Sequence, residues 1–202
     1  MFHPKARIQW INDQVGYGLV ATEFIPKGTI TYVKDPLELE ISLEKFKTLP
    51  KQLQAEVDKY SYVDEKGNHI VSWDLSKYVN HCCQCNSMST GYGFEIAIRD
   101  IMPGEEITDE YGIFNMEEAM YLDCGKPGCR RRIHGEDLEN YYQIWDQLLK
   151  SALRQVRQTD QPLWFLLDEQ TIAELNSFLA NESNYRSVRE LRYTGHQHHG
   201  EE

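Results

Sequence analysis

Three short stretches of this chain combine side chains that could do chemistry. Asn80-His81-Cys82-Cys83-Gln84-Cys85-Asn86 sets an amide and an imidazole among thiols. Such a group either ligates a metal or ties together a buried polar network, and on its own the network is the commoner outcome. Glu105-Glu106-Ile107-Thr108-Asp109-Glu110-Tyr111 ends a run of acids on a phenol, behind the tight turn Pro103-Gly104. A charge run by itself is most often a solvated face. Val15-Gly16-Tyr17-Gly18-Leu19 lacks Cβ atoms at two positions, so main-chain groups can approach a ligand there, or the stretch simply turns.

The rest of the sequence must supply the elements that position them. Over residues 6–34, apolar and polar positions alternate in pieces broken at Gly16-Tyr17-Gly18 and Ile25-Pro26-Lys27-Gly28, which predicts strands of a small sheet. Leu43, Phe46, Leu49, Leu53 and Val57 recur at helical spacing over 42–59, and Pro50 divides that stretch into two helices. Residues 60–63 and 69–71 flank Lys66-Gly67-Asn68 as a hairpin, and residues 92–99 alternate as a strand. After Gly135 the pattern turns helical. Leu138, Tyr141, Tyr142, Trp145, Leu148 and Leu149 share a face that Leu153 and Val156 extend. Asp168 is the predicted cap of a helix over roughly 170–180, and the terminus from Gly195 reads as loose. Strands to about residue 112 and helices afterwards make an α+β chain.

Composition narrows the partners. The 202 residues suffice for one domain with an appendage, or two small ones. Asp and Glu number 32 against 21 Lys and Arg, a net charge of −11. That surface repels nucleic-acid phosphates and favours basic partners. No run approaches the roughly 18 apolar residues of a membrane span, and the start lacks the apolar region of a secretory signal. The expectation is an intracellular, cytoplasmic protein bound to neither membrane nor nucleic acid, with delivery into a host left open. Five clustered cysteines argue for thiols or a metal, not for a disulfide framework.

The order and spacing of the three stretches resemble the SET domain family of protein-lysine methyltransferases over about residues 6–133. Residues 80–86 resemble that family's Asn-His-Ser-Cys-x-Pro-Asn, with Cys82 and Cys85 in place of Ser and Pro. Residues 104–111 are similar to its Gly-Glu-Glu-Leu-Thr-x-Asp-Tyr, with Tyr111 in the tyrosine position. Phe94-Glu95-Ile96-Ala97-Ile98-Arg99-Asp100-Ile101 matches the strand leading into it, and Cys124-Gly125-Lys126-Pro127-Gly128-Cys129-Arg130 resembles the post-SET segment. The resemblance implies a SET domain over 1–115, a post-SET-like segment over 116–135 and a helical C-terminal extension over 136–202. It implies small curled β-sheets in which the 80–86 and 106–111 segments form a threaded, knot-like core. Cofactor and substrate lysine would meet from opposite faces through a narrow channel.

The implied activity is methyl transfer from S-adenosyl-L-methionine to the ε-amino group of lysine in a basic protein. A non-catalytic binding module is the alternative, and a metal or redox protein a remoter one. Tyr111 takes the catalytic position. Asn80 and His81 match the pair that holds the cofactor, Gly16, Tyr17 and Gly18 line its methionine part, and Leu122 covers its adenine. Tyr60 or Tyr62 supplies a second channel wall. Asp109 departs from the family's Phe or Tyr, and is expected either to face solvent or to pair with a substrate cation. The family's post-SET zinc is left open here. Cys124 and Cys129 keep their spacing, but Ser87 and Leu122 fill two other places, so Cys85 and His134 would have to complete the set. The aromatic face of Tyr141, Tyr142, Trp145, Trp164 and Phe165 either packs on the SET core or forms a dimer or substrate surface.

Overall fold

A computed structural model describes residues 1–195. The expectation of a loose terminus concerns mainly residues 196–202, which lie outside the described residues. In chain order the elements are β1 (Ala6–Asn12), β2 (Gly16–Ala21), β3 (Ile30–Val33), β4 (Leu39–Ile41), α1 (Leu43–Thr48), α2 (Lys51–Tyr60), β5 (Ser61–Val63) and β6 (His69–Val71). They continue with β7 (Asn80–His81), β8 (Ser87–Ser89), β9 (Phe94–Ala97), β10 (Glu106–Asp109), β11 (Met120–Tyr121), β12 (Arg132–Ile133), α3 (Asp137–Leu153) and α4 (Glu169–Ala180). Among the described residues no helix is long and apolar enough to cross a membrane.

The strands make several small sheets, ordered β1-β2-β10-β7, β3-β9-β8 and β4-β6-β5, with β11-β12 as a separate ribbon. Local chemistry explains many of the boundaries. Pro50 is the N-cap of α2, so the helical stretch divides where expected. Asp168 caps α4 by accepting from the Thr171 N–H at 2.6 Å. The Lys66-Gly67-Asn68 turn joins β5 to β6, with Gly67 at φ +81°. Gly16, Tyr17 and Gly18 are not a break: they begin β2. The apolar faces of α1 and α2 bury no residue fully, although Phe46 stacks on the His69 ring at 4.0 Å.

The helices of the C-terminal region share their core with the sheets. Ile30, Met88, Phe94 and Ile96 pack in one cluster with Leu149, Leu153 and Phe178. Each such side chain contributes roughly 1.5–3 kcal/mol by leaving water. Polar groups fasten the same join: Gln161 accepts from the Ile30 N–H at 2.8 Å and donates to Gly28 O at 2.7 Å. Trp145 is buried, and Tyr141, Tyr142 and Trp164 pack against the cluster. Phe165, expected on that face, is instead 71% exposed, because it sits in a single 3-10 turn whose Trp164 and Leu166 take the inward positions.

Candidate active site

The site is built where β7 lies parallel to β10, Asn80 beside Thr108 and His81 beside Asp109. Two residues cannot form a stable strand alone, so Asn86 reinforces the pairing. Wholly buried, it accepts from the Thr108 N–H at 2.9 Å and donates to Glu106 O at 2.8 Å, while its own N–H reaches Thr108 O at 3.3 Å. The Cys82 N–H adds a bond to Asp109 O at 3.1 Å. The 80–86 and 106–111 segments are thus laced together through side chain and main chain alike.

On the other flank of β10 lies β2, antiparallel, with Ile107 opposite Leu19. Asn80 Nδ2 spans the two strands, donating to Tyr17 O at 3.1 Å and to Glu106 Oε1 at 2.8 Å. Both of its N–H groups are engaged, which leaves the Asn80 carbonyl oxygen as the free acceptor. Gly18 is the contact that lets Asn80 in: a Cβ there would stand 2.7 Å from Asn80 Nδ2 and 2.4 Å from Glu106 Oε1. The Tyr17 ring points outward, 51% exposed, edge-on to Trp10 at 5.3 Å.

Tyr111 follows β10 directly, in a 3-10 turn. Its N–H donates to His81 Nδ1 at 3.1 Å, and its hydroxyl donates to Val79 O at 2.5 Å. An accepting Nδ1 places the imidazole proton on Nε2, 3.4 Å from Cys83 Sγ. Burial, with the Arg130 charge adding to it, lowers the His81 pKa to about 4, so the ring is neutral. Burial likewise pushes the Tyr111 phenol up, and the Asp109 and Glu95 carboxyls push the same way, so its proton stays on. The Tyr111 ring lies 5.5 Å from His81 and 5.6 Å from Phe114, and Phe114 stacks on Tyr62 at 5.3 Å.

Tyr62 and Phe114 line a cavity of about 140 Å³ together with Ser89, Glu95, Asn115 and Leu191. Of the two candidate tyrosines it is Tyr62 that lines this cavity; Tyr60 ends α2 and faces Tyr78 at 6.1 Å. Asn115 fastens the rim. Its Nδ2 meets Val63 O, Asp64 O and Leu191 O at 2.9–3.1 Å, and its Oδ1 accepts from the Tyr193 N–H at 2.8 Å. Asp109 does not face solvent: it is 1% exposed. Glu110 is equally buried, held by the Arg130 guanidinium, which also lies 5.1 Å from the Tyr141 ring.

The thiols sort themselves differently from expectation. Cys83, Cys124 and Cys129 gather with their sulfurs within 4.8 Å of one another, and Cys83 Sγ stands 3.9 Å from Cys129 Sγ. Sulfurs about 2.3 Å from a tetrahedral zinc would lie at nearly that separation. Main-chain N–H groups of Arg130 and Cys124 point at Cys83 and Cys129 sulfurs at 3.4 and 3.3 Å. Against the penalty of burial, N–H donors from Cys83 and Lys126 and the neighbouring thiols bring the Cys124 pKa down to about 7. Three thiols so placed suit a soft divalent metal. Cys85 is not among them, because it turns into the apolar core with Met88 and Ile98. His134 is also elsewhere, its Nδ1 accepting from the Glu136 N–H at 3.1 Å. Leu122 sits half-buried beside this trio, its carbonyl 3.7 Å from Cys129 Sγ.

Residues 16–112 match the family described as SET domain. The chain is similar to a histone-lysine N-methyltransferase, H3 lysine-4 specific, of Mycosarcoma maydis, 32% identical over 134 residues that take up 57% of this chain and 9% of that protein. It is also similar to a histone-lysine N-methyltransferase, H3 lysine-36 specific, of Cryptococcus neoformans var. neoformans serotype D, 28% identical over 142 residues, 62% of this chain and 16% of that one. The chain therefore spans only a small part of the length of the relatives it matches. A solved structure, KRYPTONITE in complex with mCHG DNA and SAH, superposes with a TM-score of 0.44 at 18% identity, over 66% of this chain and 29% of that one.

Proposed function

Because residues 16–112 match the SET domain family, we propose that this chain moves a methyl group from S-adenosyl-L-methionine to the ε-amino group of a lysine in a basic protein. The observation that carries the proposal is the joint at Tyr111, whose N–H is fixed by His81, whose hydroxyl is fixed by Val79, and whose ring meets Phe114 at the cavity. One residue thereby touches both the Asn80–His81 strand and the aromatic wall.

When bound, the cofactor supplies a methyl carbon made electrophilic by a positively charged sulfur. Asn80 would offer its carbonyl oxygen to the cofactor's ammonium, and Gly16 to Gly18 would present main chain to the same end of it. Leu122, in the segment beside the thiols, would cover the adenine. Cys83, Cys124 and Cys129 would hold a zinc ion, which would pin that segment to the 80–86 stretch as a structural crosslink.

The amine side has a different task. A lysine ammonium with its ordinary pKa of about 10.4 has no lone pair to offer. Tyr62 and Phe114 wall the cavity with rings, and desolvation there favours the neutral amine. The Tyr111 hydroxyl spends its proton on Val79 O. Its oxygen therefore faces the reacting centre as an acceptor only, suited to the positive methyl group and to the amine's N–H. Held in line, nitrogen and methyl react with a barrier lowered by positioning, an effect worth several kcal/mol.

The net charge of −11 favours a basic substrate, and the names of the relatives make histones the first class to try. The test is transfer from labelled cofactor to mixed core histones and to a cell lysate, with mass spectrometry of the labelled bands. Lysine should carry the label, and Tyr111→Phe should lower the rate at least about a hundredfold with cofactor affinity intact. Unchanged turnover in that variant removes Tyr111 from the mechanism. Label on residues other than lysine, or none at all, removes the activity.

A further inference from the structure

One acidic pair, Asp109 buried and Glu95 partly buried, takes no part in that chemistry. Glu95, on β9, lines the cavity beside Ser89, Tyr62 and Phe114. Asp109, two residues before Tyr111, is 1% exposed. Asp109 Oδ1 accepts from the Glu110 N–H at 2.7 Å, but its Oδ2 and Glu95 Oε2 have no donor among the described residues. The two carboxyls meet each other instead. Two carboxylates in contact, with no ion pair to either among the described residues, cannot both be ionised, so the pair shares a proton and carries one negative charge.

The nearest cations are engaged elsewhere: the N-terminal ammonium, which acts on Glu95 from a distance, is held by Asp35 and Glu38, and Lys34, on the cavity wall, by Glu40. Burial holds Tyr62, Tyr111 and Cys85 in their protonated forms, and His81 neutral. Glu110 is answered by Arg130, not by the pair. Burial raises the pKa of Asp109 to about 7, and burial with the Asp109 charge beside it raises Glu95 well above the usual carboxylate range. A group built this way loses little by taking up a second proton near neutrality. Where the resemblance leads one to expect Phe or Tyr, this chain has placed a poised base.

We propose that the Glu95–Asp109 pair takes the proton of the substrate lysine's ammonium at the foot of the cavity, so that the amine reaches the methyl group neutral. This rests on the lysine methyl-transfer reading above. In the step an N–H bond breaks and a carboxyl O–H forms, and the freed electron pair stays on nitrogen. That pair then forms the N–C bond as the C–S bond breaks toward sulfur. The positive charge leaves the ammonium with its proton, cancels the charge of the carboxyl pair, and returns to nitrogen only with the methyl group. The extra proton afterwards passes to solvent along the cavity, whose lining includes Asp64 and the exposed Glu65. Near pH 7 only about one free lysine in 2,500 is neutral. A base in place offsets much of that factor, and the aromatic walls need not supply all of it.

The pair can act only while it holds a single proton, so the rate should fall as pH drops through about 7. The test is kcat/KM for labelled methyl transfer to core histones from pH 5.5 to 9.5, in the parent, in Glu95→Gln and in Glu95→Gln/Asp109→Asn. Both substitutions keep the shape of the pair, and melting curves and cofactor affinity verify each variant. Glu95→Gln mimics the protonated carboxyl and should keep the acidic limb. The double variant should lose at least tenfold at pH 7 and climb steadily toward alkaline pH with the free amine. A parent without the limb, or a double variant that keeps it, overturns the proposal. Should the parent transfer no methyl at any pH, the activity itself fails. The infrared carbonyl band of a buried carboxylic acid then decides the pair alone: titration near neutrality in the parent and loss in the double variant support proton sharing, and a silent spectrum refutes it.

Discussion

Gly18→Ala tests the proposed cofactor side from geometry alone. Gly18 is not at positive φ, so alanine can adopt its backbone, and the whole effect is steric. The added Cβ would stand 2.4 Å from Glu106 Oε1, 2.7 Å from Asn80 Nδ2 and 2.8 Å from Ile11 Cγ1, where ordinary contact begins at 3.4 Å. Glu106 and Asn80 present the ends of their side chains and can swing away. Swinging breaks the Asn80 bonds to Tyr17 O and Glu106 Oε1. Two such bonds are worth about 1–3 kcal/mol together, and the partial exposure of Asn80 argues for the lower half of that range. At 1.4 kcal/mol per decade, affinity for a ligand that needs Asn80 in place should fall about tenfold. Calorimetry with S-adenosylhomocysteine on the parent, Gly18→Ala and Asn80→Ala measures it, and a melting curve confirms folding. If Gly18→Ala is folded and binds within twofold of the parent, Asn80 does not hold the cofactor.

Other outcomes follow from the same geometry. Asn86→Ala leaves the Thr108 N–H and Glu106 carbonyl buried without partners and should remove about 3–5 kcal/mol in urea unfolding; a loss below about 1 kcal/mol would show that β7 and β10 pair without it. Purified protein should carry about one zinc per chain by elemental analysis, with Cys129→Ser lowering the content, and a metal-free parent denies the trio that role. His81 has a folded pKa near 4 against about 6.5 unfolded. The unfolded chain then binds more protons between those values, so the stability from neutral His81 is complete above pH 6.5 and lost as pH falls toward 4. Asp109, raised to about 7, acts in the opposite sense over much of that window, so the comparison must be between His81→Gln and the parent. Their difference in melting temperature should shrink from pH 7 to pH 5, and a constant difference would show that His81 is not held neutral by the fold.

Local signals were legible and pairings across the chain were not. Pro50 and Asp168 announce their helices because a missing N–H and a capping carboxylate act within one turn. The Lys66-Gly67-Asn68 turn announces its hairpin for the same reason. Nothing local announces β7, which has two residues and exists only because Thr108 and Asp109 lie alongside. The choice of Tyr62 over Tyr60 depends on where α2 ends and β5 begins, a boundary that spacing does not fix. Cys83 displaces Cys85 from the thiol trio because the main chain bonded to β10 turns Cys85 inward. Glu95 was visible as an acid inside an apolar strand, but its partner Asp109 belongs to a different sheet. The motif residues could be assigned roles only through the family resemblance, and Glu95 lay outside those roles.

The Asn115 amide joins three parts of the chain at the cavity rim: the end of β5, the turn after it and the run from Leu191 to Tyr193. Leu191 is itself a wall residue. The region following residues 16–112 is thus a pane in the cavity's window, and cutting the chain ahead of Leu191 would leave that window open to water. It also gives a distant hand some purchase: anything that grips α3, which packs on the 188–191 turn, and shifts it pulls on the same amide and so alters the bore of the cavity.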